Sequence, residues 1–413
     1  MKKLKSFRYA YYLILVTVFQ ILSFVQVLSK CEEDKAQLSV ILLSFLLVEW
    51  FYVVAMRVTI RQKSFELELI AFFLSSVGLS LIATVSADFA MKQVIYILAG
   101  VLIFIVMRWL IANADRVSLL RMPAAVFAAA VLALNLLLAQ DYNGAKNWVQ
   151  IGSFSFQPSE FVKIAFIFVG AATLDKLQTT KSVFKYLVFA AGCVGALFLM
   201  RDFGTALIFF ATFLIIAYMR SGDWKTIAVI CVAAVLGAIL IISFKSTVAA
   251  RFATYRHIWE TPYDEGMQQT RMLIYSASGG LFGVGLGNGK LRDIYASTTD
   301  LIFGMVCEEY GLILGFVILL TFAAILVYTV ASAKSARTSF YVIAACSAAG
   351  LLLVQTSLNV FGVTDLLPWT GVTLPFVSRG GSSMMSCWAL LAFIKSVDPR
   401  AYPKTFKETQ LAG

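Results

Sequence analysis

Charged residues are scarce in this chain of 413 residues: only 14% are Asp, Glu, Lys or Arg, whereas 60% are hydrophobic. Soluble domains carry about 25% charged residues, so the composition excludes an ordinary soluble protein. Histidine occurs once, as His257, which excludes a metal site built from several histidines. The six cysteines are scattered, and five lie in apolar runs, so the sequence indicates no disulfide framework.

Two further absences and the distribution of charge narrow the class of protein. No repeat of fixed period is visible, which weakens the case for a transporter built from two related halves. The glycine cluster at 279–289 does not follow a strand, and it therefore lacks the context of a nucleotide-binding fingerprint. The net charge of +11 comes with basic residues beside apolar runs, a pattern typical of contact with anionic lipid rather than nucleic acid.

What the chain has in abundance is apolar runs of about 17 to 25 residues, some of them shorter, which match the hydrocarbon core of a bilayer. We identify twelve such runs, and they predict an all-α polytopic membrane protein. Their approximate ranges are 9–29, 38–56, 67–86, 93–112, 122–140, 158–174, 185–200, 204–219, 225–244, 303–330, 339–361 and 380–396.

Basic residues fall on alternate loops between these runs. Because Lys and Arg in short loops are held on the cytoplasmic side, we predict that both termini are cytoplasmic. The first run lacks a small-residue cleavage site and a second follows closely, which indicates an uncleaved anchor. A large extracellular loop is predicted between residues 245 and 303. We interpret 1–64 as an appended hairpin, 65–400 as the main membrane domain and 401–413 as a cytoplasmic tail.

Three polar breaks interrupt the apolar pattern on the predicted outer side. In the first, Pro158 is typical of a helix start. Glu160 and Lys163 share one face of that helix, so they either pair with each other or flank a common ligand. In the second, Asp202 either caps the helix that begins near Thr205 or belongs to an anion site at that helix N-terminus.

The third break, TSLNVFGVTDLLPWTGVTLPFVSRGGSS, contains two prolines. Irregular backbone near membrane depth persists only where protein or a wet cavity satisfies it. Together the three breaks and the long outer loop predict a cavity that is open to the exterior. The glycines at 279–289 fit either close approach to a ligand or tight packing.

Asp300 stands where the long outer segment enters the next apolar run. A carboxylate at that position can cap the helix or act as a general base at the edge of the cavity. We expect the positive helix end to lower the pKa of Asp300. Glu308 and Glu309 follow about two helical turns later, and we expect at least one of them to pair with a buried cation such as Lys163.

Four motifs, in this order, resemble the SEDS family (shape, elongation, division and sporulation). They are GAKNWVQIGSFSFQPSEFVK, RDFGTAL, GGLFGVGLGNGK followed by TDLIFGMVCEEYG, and QTSLNVFGVTDLLPWTGVTLPFVSRGGSS. The resemblance covers about 65–400 and implies a core of about ten membrane helices, with two extra helices at the N-terminus. It further implies a multi-pass glycosyltransferase of the bacterial cytoplasmic membrane, which polymerises lipid II on the outer face with a class B penicillin-binding protein as its transpeptidase partner.

By this resemblance Asp300 is the catalytic aspartate. The implied substrate-binding residues are Lys146, Gln157, Ser159, Glu160, Lys163, Arg201, Asp202, Thr205, Glu308, Glu309, Ser378, Gly380, Gly381 and Ser382. The leaving pyrophosphate would be stabilised by Lys146, Lys163, Arg201, a helix N-terminus or a divalent cation such as Mg²⁺ or Mn²⁺.

The chain departs from the family pattern at four positions. Asn147 stands where the family usually has Arg, Arg201 where it has Pro, Ala296 where it has Glu, and Arg379 where it has an aromatic residue. Two alternative hypotheses for the function therefore remain: a flippase for lipid-linked precursors, and a non-catalytic scaffold for a penicillin-binding protein. The sequence does not distinguish division, elongation and sporulation.

Overall fold

The structure, a computed structural model, describes residues 4–30, 34–142, 145–151, 154–176, 180–225, 228–232, 254–398 and 400. Most of the predicted span 225–244 and the whole predicted tail 401–413 lie outside these residues. In chain order the helices are α1 (Leu4–Lys30), α2 (Lys35–Thr59), α3 (Glu66–Val85), α4 (Ala87–Ile111), α5 (Ala114–Leu138), α6 (Pro158–Lys176), α7 (Thr180–Leu199), α8 (Phe203–Ser221), α9 (Met267–Ser278), α10 (Ile302–Met305), α11 (Leu312–Ala333), α12 (Ser339–Val363) and α13 (Gly381–Ser396).

Eight helices in the described part of the chain are long and apolar enough to cross a membrane: α1 to α5, α8, α11 and α12. Of the four other predicted spans, three correspond to α6, α7 and α13. The fourth is the span that lies mostly outside the described residues. The predicted all-α polytopic architecture is confirmed.

The predicted span 303–330 is wrong as a single helix. After α10 the chain forms a π-helix, Val306–Tyr310, and α11 begins only at Leu312. Between them Gly311 has a φ of 95°, and a Cβ atom there would collide with the backbone of Leu281. Because only glycine adopts this conformation at such close approach, the break is encoded in the sequence at one position.

The segment after α5 folds into a small sheet that the sequence analysis did not predict. The strands are β1 (Gln140–Tyr142), β2 (Ala145–Ile151) and β3 (Phe154–Phe156). Strand β2 lies in the centre and pairs antiparallel with both neighbours. The pair Asn143–Gly144 between β1 and β2 is typical of a turn, but these two residues lie outside the described part of the chain. We call the end of the bundle that carries this sheet the sheet end.

Trp388 of α13 lies at the centre of the core and is fully buried. Its ring contacts Phe72 of α3 and Phe104 of α4, with centroid distances of 4.9 Å and 5.9 Å. A Cβ atom at Gly100 would lie 2.6 Å from Cδ1 of Trp388. Helix α4 can therefore approach α13 only because a glycine faces the indole ring.

A cluster of buried polar residues lies at the end of the bundle opposite the sheet end. The ammonium group of Lys395 lies 3.0 Å from Oε2 of Glu68 and 2.7 Å from the carbonyl oxygen of Ser64. Nearby, Arg108 donates to Oε1 of Gln62 at 2.6 Å. Gln62 and Ser64, which connect α2 to α3, are thus buried in this cluster. The domain boundary expected in this connection stays a prediction.

Candidate active site

Asp300 lies at the sheet end, two residues before α10. No ion pair with its carboxylate occurs among the described residues, and the hydroxyl of the neighbouring Thr299 donates to the carbonyl of Ala296 at 3.2 Å. Burial raises the pKa of Asp300 to about 7. The expectation that the helix end lowers the pKa of Asp300 is wrong. The N-cap of α10 is Leu301, without a side-chain capping bond, so Asp300 does not cap this helix. A carboxyl group with a pKa near neutrality suits a general base.

The backbone around Asp300 is anchored at three consecutive carbonyl groups. Nδ2 of Asn359 donates to the carbonyl of Asp300 at 2.9 Å, and the hydroxyl of Ser378 donates to that of Thr299 at 2.6 Å. The backbone N–H of Arg379 donates to the carbonyl of Thr298 at 2.8 Å. The turn before α10 is therefore held from α12 and from the segment 364–380, which we call the 364–380 loop.

The 364–380 loop connects the elements of the site. At Gly371, whose φ is 67°, a Cβ atom would lie 3.4 Å from Oδ2 of Asp300. At Gly204 in α8 a Cβ atom would lie 2.7 Å from Cγ1 of Val372 and 3.0 Å from the carbonyl oxygen of Thr370. One loop thus contacts both the Asp300 turn and the start of α8.

Asp202 caps α8, which agrees with the first of the two interpretations given for this residue. Its Oδ1 accepts from the backbone N–H of Thr205 at 3.1 Å. Its Oδ2 accepts from Nδ2 of Asn147 at 3.1 Å and from Nε2 of Gln157 at 3.0 Å. The Asn147 amide, at one of the family departures, is thus a direct partner of this carboxylate. Asp202 joins the sheet, α6 and α8.

Two cations lie on the exposed side of this junction. The backbone N–H of Lys146 donates to the carbonyl of Met200 at 2.8 Å, which ties β2 to the turn before α8. The side chains of Lys146 and Arg201 are exposed. Arg201 has a φ of 61°, a backbone conformation that a proline ring prevents. Arg201, at the position where the family usually has Pro, therefore allows a left-handed turn of the backbone.

Glu160 and Lys163 form a buried ion pair, as one of the two interpretations held. The ammonium group lies 2.8 Å from Oε1 of Glu160 and donates to Oε1 of Gln355 at 3.0 Å. Oε2 of Glu160 accepts from the hydroxyl of Ser386 at 2.5 Å. The Gln355 amide in turn donates to the carbonyl of Thr373 at 2.9 Å. The pair is neutralised internally and connects α6, α12, α13 and the 364–380 loop.

The expected pairing of Glu308 or Glu309 with Lys163 is wrong. Oε1 and Oε2 of Glu308 accept from the backbone N–H groups of Lys290 and Leu291 at 2.7 Å and 2.9 Å. Oε2 of Glu309 accepts from the N–H of Gly287 at 2.8 Å. Both carboxylates hold the segment 279–291, which we call the glycine loop. They stabilise the path of the chain toward Asp300.

The N-terminus of α13 contributes the remaining predicted residues. The hydroxyl of Ser382 accepts from the N–H of Gln157 at 3.3 Å, so it joins α13 to α6. The N–H of Gly380 donates to Oε1 of Gln93 at 3.3 Å. A Cβ atom at Gly381 would lie 2.8 Å from the ring of Tyr96. Close packing against α4 therefore explains the glycine at 381.

Within the described part of the chain, three buried polar atoms near the Asp202 and Asp300 turns have no hydrogen-bond partner: Oγ of Ser159, Oγ1 of Thr370 and Oδ1 of Asn359. They belong to α6, the 364–380 loop and α12, which are the elements that converge here. Buried polar atoms are normally satisfied. Unsatisfied hydroxyl and amide groups on three converging elements are suited to a hydroxyl-rich ligand.

Gln355, Thr373 and Ser386 also belong to the site, although they were not predicted from the sequence. Gln355 and Asn359 lie four residues apart in an apolar helix, and therefore on one face. That spacing was a usable signal, because polar side chains inside a span usually face a cavity or a partner. Thr373 and Ser386 gave no such signal, because they enter the site only through long-range contacts.

No group of three or more His, Cys, Asp or Glu side chains suited to a metal ion occurs among the described residues. Asp202, which directly follows Arg201, already accepts three N–H groups. A divalent cation at the leaving pyrophosphate stays a prediction, and we derive no step through one.

A family model named FTSW_RODA_SPOVE and described as cell cycle protein matches residues 55–402. The peptidoglycan glycosyltransferase RodA of Mycobacterium leprae is 29% identical over 338 residues, which cover 76% of this chain and 70% of that protein. The stage V sporulation protein E of Bacillus subtilis is 32% identical over 252 residues, or 59% of this chain and 68% of that protein.

A solved structure shows the same fold. It is a chain from a peptidoglycan synthase complex, with a TM-score of 0.67 and 22% identity, and the similarity covers 81% of this chain and 97% of that one. The resemblance expected from the four sequence motifs is confirmed by a family match over most of the chain. This chain therefore belongs to the FtsW/RodA/SpoVE family, which the sequence analysis named SEDS.

Proposed function

We propose that this protein is a peptidoglycan glycosyltransferase that polymerises lipid II. The observation that carries the proposal is Asp300, a partly buried carboxyl group with a pKa of about 7 beside unsatisfied hydroxyl and amide groups. Family membership supports it, as do the name of the Mycobacterium leprae relative, a peptidoglycan glycosyltransferase, and the similarity to a chain of a peptidoglycan synthase complex.

In the proposed reaction Asp300 accepts the proton of the acceptor sugar's 4-hydroxyl group. The hydroxyl oxygen attacks the anomeric carbon of the donor sugar, and a new glycosidic bond forms with inversion. The bond from that carbon to the pyrophosphate oxygen breaks, and the polyprenyl pyrophosphate leaves with the electron pair. One base on the attacking side is sufficient, because pyrophosphate departs without prior protonation.

The leaving pyrophosphate needs cationic stabilisation. Three basic residues were predicted from the sequence to stabilise the pyrophosphate. Of these, Lys163 is neutralised by Glu160 and is only 2% exposed. Lys146 and Arg201 are exposed beside the Asp202 junction. We therefore assign the pyrophosphate contact to Lys146 and Arg201, and we assign Lys163 to the framework of the site.

We also propose that the sheet end faces the exterior and that both termini are cytoplasmic. The support is the alternation of basic loops. Reporter fusions would test the orientation, and we expect the α1–α2 connection outside the cell and the α2–α3 connection in the cytoplasm. A class B penicillin-binding protein is the proposed transpeptidase partner, supported by the similarity to a peptidoglycan synthase chain.

The deciding experiment compares polymer formation from purified lipid II by the wild type, Asp300→Ala and Asp293→Ala, each reconstituted with the matching transpeptidase. Asp293 is the matched control, because it lies in the same segment and its side chain is 79% exposed. We expect Asp300→Ala to lose about 10²- to 10⁴-fold in rate, the usual contribution of a general base. Asp293→Ala should keep the wild-type rate.

The flippase and scaffold hypotheses predict different results in the same assay. A flippase would move lipid II between leaflets whether or not polymer forms, and Asp300→Ala would then not change polymerisation by any added enzyme. The departure at Ala296 is the observation that favours a scaffold. If the wild type assembles with its partner but makes no glycan, the enzyme proposal is rejected.

A further inference from the structure

Helix α1 precedes the residues that the family model matches, which begin at residue 55, yet one of its faces is buried in the bundle. Leu13, Gln20, Phe24 and Val27 recur at helical spacing and are at most 3% exposed. The ring of Phe19 packs against Phe73 of α3 at a centroid distance of 5.2 Å. A helix that only anchored the chain in lipid would not need such a face.

The second half of α1 contacts Tyr310, the last residue of the π-helix. The rings of Phe19 and Tyr310 stack with centroids 5.9 Å apart and an interplanar angle of 24°. The phenol oxygen of Tyr310 lies 2.7 Å from the hydroxyl of Ser80 in α3. Tyr310 is therefore held between α1 and α3.

The end of α1 also touches the glycine loop directly. Gly285 and Gly287 have φ values of 90° and 77°. A Cβ atom at Gly285 would lie 2.9 Å from Nε2 of Gln26, and one at Gly287 would lie 3.2 Å from Cβ of Lys30. The loop backbone thus lies against the last turns of α1, at a distance that glycine permits.

The residues before Tyr310 hold the same loop from the other side. The carbonyl of Glu309 accepts from the N–H of Gly285 at 3.0 Å, and the carboxylates of Glu308 and Glu309 accept three further N–H groups of the loop. The chain then runs from Leu291 to Asp300 without a long helix. The glycine loop therefore connects the Glu308–Glu309 turn to the segment that carries Asp300.

We propose that α1 is a positioning element for Asp300. Phe19 fixes Tyr310, Tyr310 fixes the Glu308–Glu309 turn, and this turn fixes the glycine loop and the segment that leads to Asp300. The inference deepens the proposed function and rests on it, since it assigns to the N-terminal hairpin a part in the same reaction. Neither the family match nor the sequence motifs include α1.

The test compares Phe19→Ala with Leu22→Ala in the full chain, reconstituted with the transpeptidase. Leu22 is the matched control, because it lies on α1 and is 64% exposed. We expect Phe19→Ala to lower kcat about 3- to 10-fold, the loss that corresponds to one aromatic pair, and to leave KM for lipid II unchanged. Leu22→Ala should match the wild type, and Phe19→Tyr, which keeps a ring, should restore kcat.

Amide hydrogen exchange in residues 283–291 gives a readout that does not depend on activity. The loop should exchange faster in Phe19→Ala than in the wild type and Leu22→Ala, because opening of the loop becomes less costly. Equal exchange, or equal kcat for folded protein, overturns the positioning role. If the wild type makes no polymer the proposed function fails, and exchange still decides whether α1 holds the loop. Should Phe19→Ala not fold, Phe19→Leu, which removes the ring and keeps an apolar side chain, replaces it.

Discussion

Asp202 and Asp300 are both aspartates that precede a helix at the sheet end, but their surroundings give them opposite roles. Asp202 accepts three N–H groups, from Thr205, Asn147 and Gln157, so its lone pairs are committed to the framework. Asp300 pairs with no cation among the described residues, and burial raises its pKa to about 7. Only Asp300 has the free capacity to accept a proton from a substrate.

The pKa of Asp300 predicts how the rate depends on pH. Because the base must be ionised, the rate at saturating lipid II should rise as the pH rises through about 7 and level off above it. Initial rates measured between about pH 5 and 9 check this. A rate that stays constant across this range, with the protein still folded, contradicts the assignment.

The same shift has a consequence for stability with a definite sign. The folded pKa of about 7 lies above the ordinary value of 3.8, so the folded state binds a proton more tightly than the unfolded state. The wild type should therefore lose stability relative to Asp300→Asn as the pH rises from about 4 to 7. Thermal unfolding of both proteins at the two ends of this range serves as the control for the rate profile.

At the scale of elements, the site depends on how closely α8 approaches the 364–380 loop. Gly204→Ala would place a Cβ atom 2.7 Å from Val372 and 3.0 Å from the carbonyl of Thr370. We expect this overpacking to cost about 1 to 3 kcal/mol and to lower the polymerisation rate, because the loop also contacts Asp300 through Gly371.

Gly192→Ala is the control for this change. Gly192 lies in α7, and a Cβ atom there would meet nothing within 4 Å. Alanine in a helix interior is favoured over glycine by about 1 kcal/mol, so Gly192→Ala should be neutral or stabilising, with the wild-type rate. Denaturation in detergent and initial rates measure both variants. Equal behaviour of the two alanine variants would show that the approach of α8 to the loop does not matter.

Local rules predicted the elements that depend on neighbours in the sequence. The capping of α8 by Asp202 and the Glu160–Lys163 pair both follow from spacings of three residues. The break at Gly311 and the role of Glu308 did not follow, because the π-helix changes which residues share a face, and the partners of Glu308 lie 17 and 18 residues away. The sheet also escaped prediction, since strands of three and seven residues carry little periodicity.

At the scale of the whole molecule, buried charge is concentrated at two opposite ends of the bundle. The sheet end carries Asp300, Asp202 and the Glu160–Lys163 pair. The opposite end carries Lys395, Glu68 and Asp398, which are at most 1% exposed. Helix α13 runs between them, and its residues 381 and 395 are separated by about 21 Å along the axis at 1.5 Å per residue. Stability and catalysis can therefore be perturbed separately.

Lys395→Met tests that separation. The change leaves Glu68 and Asp398 buried without their shared cation, whose Nζ lies 3.0 Å and 3.9 Å from their carboxylate oxygens. Removing one partner of a buried ion pair costs about 3 to 5 kcal/mol, so the variant should unfold at a clearly lower temperature. The fraction that stays folded should polymerise lipid II at the wild-type rate, because no contact of Lys395 reaches the Asp300 turn. A loss of rate per folded molecule would mean instead that α13 transmits strain from one end of the bundle to the other.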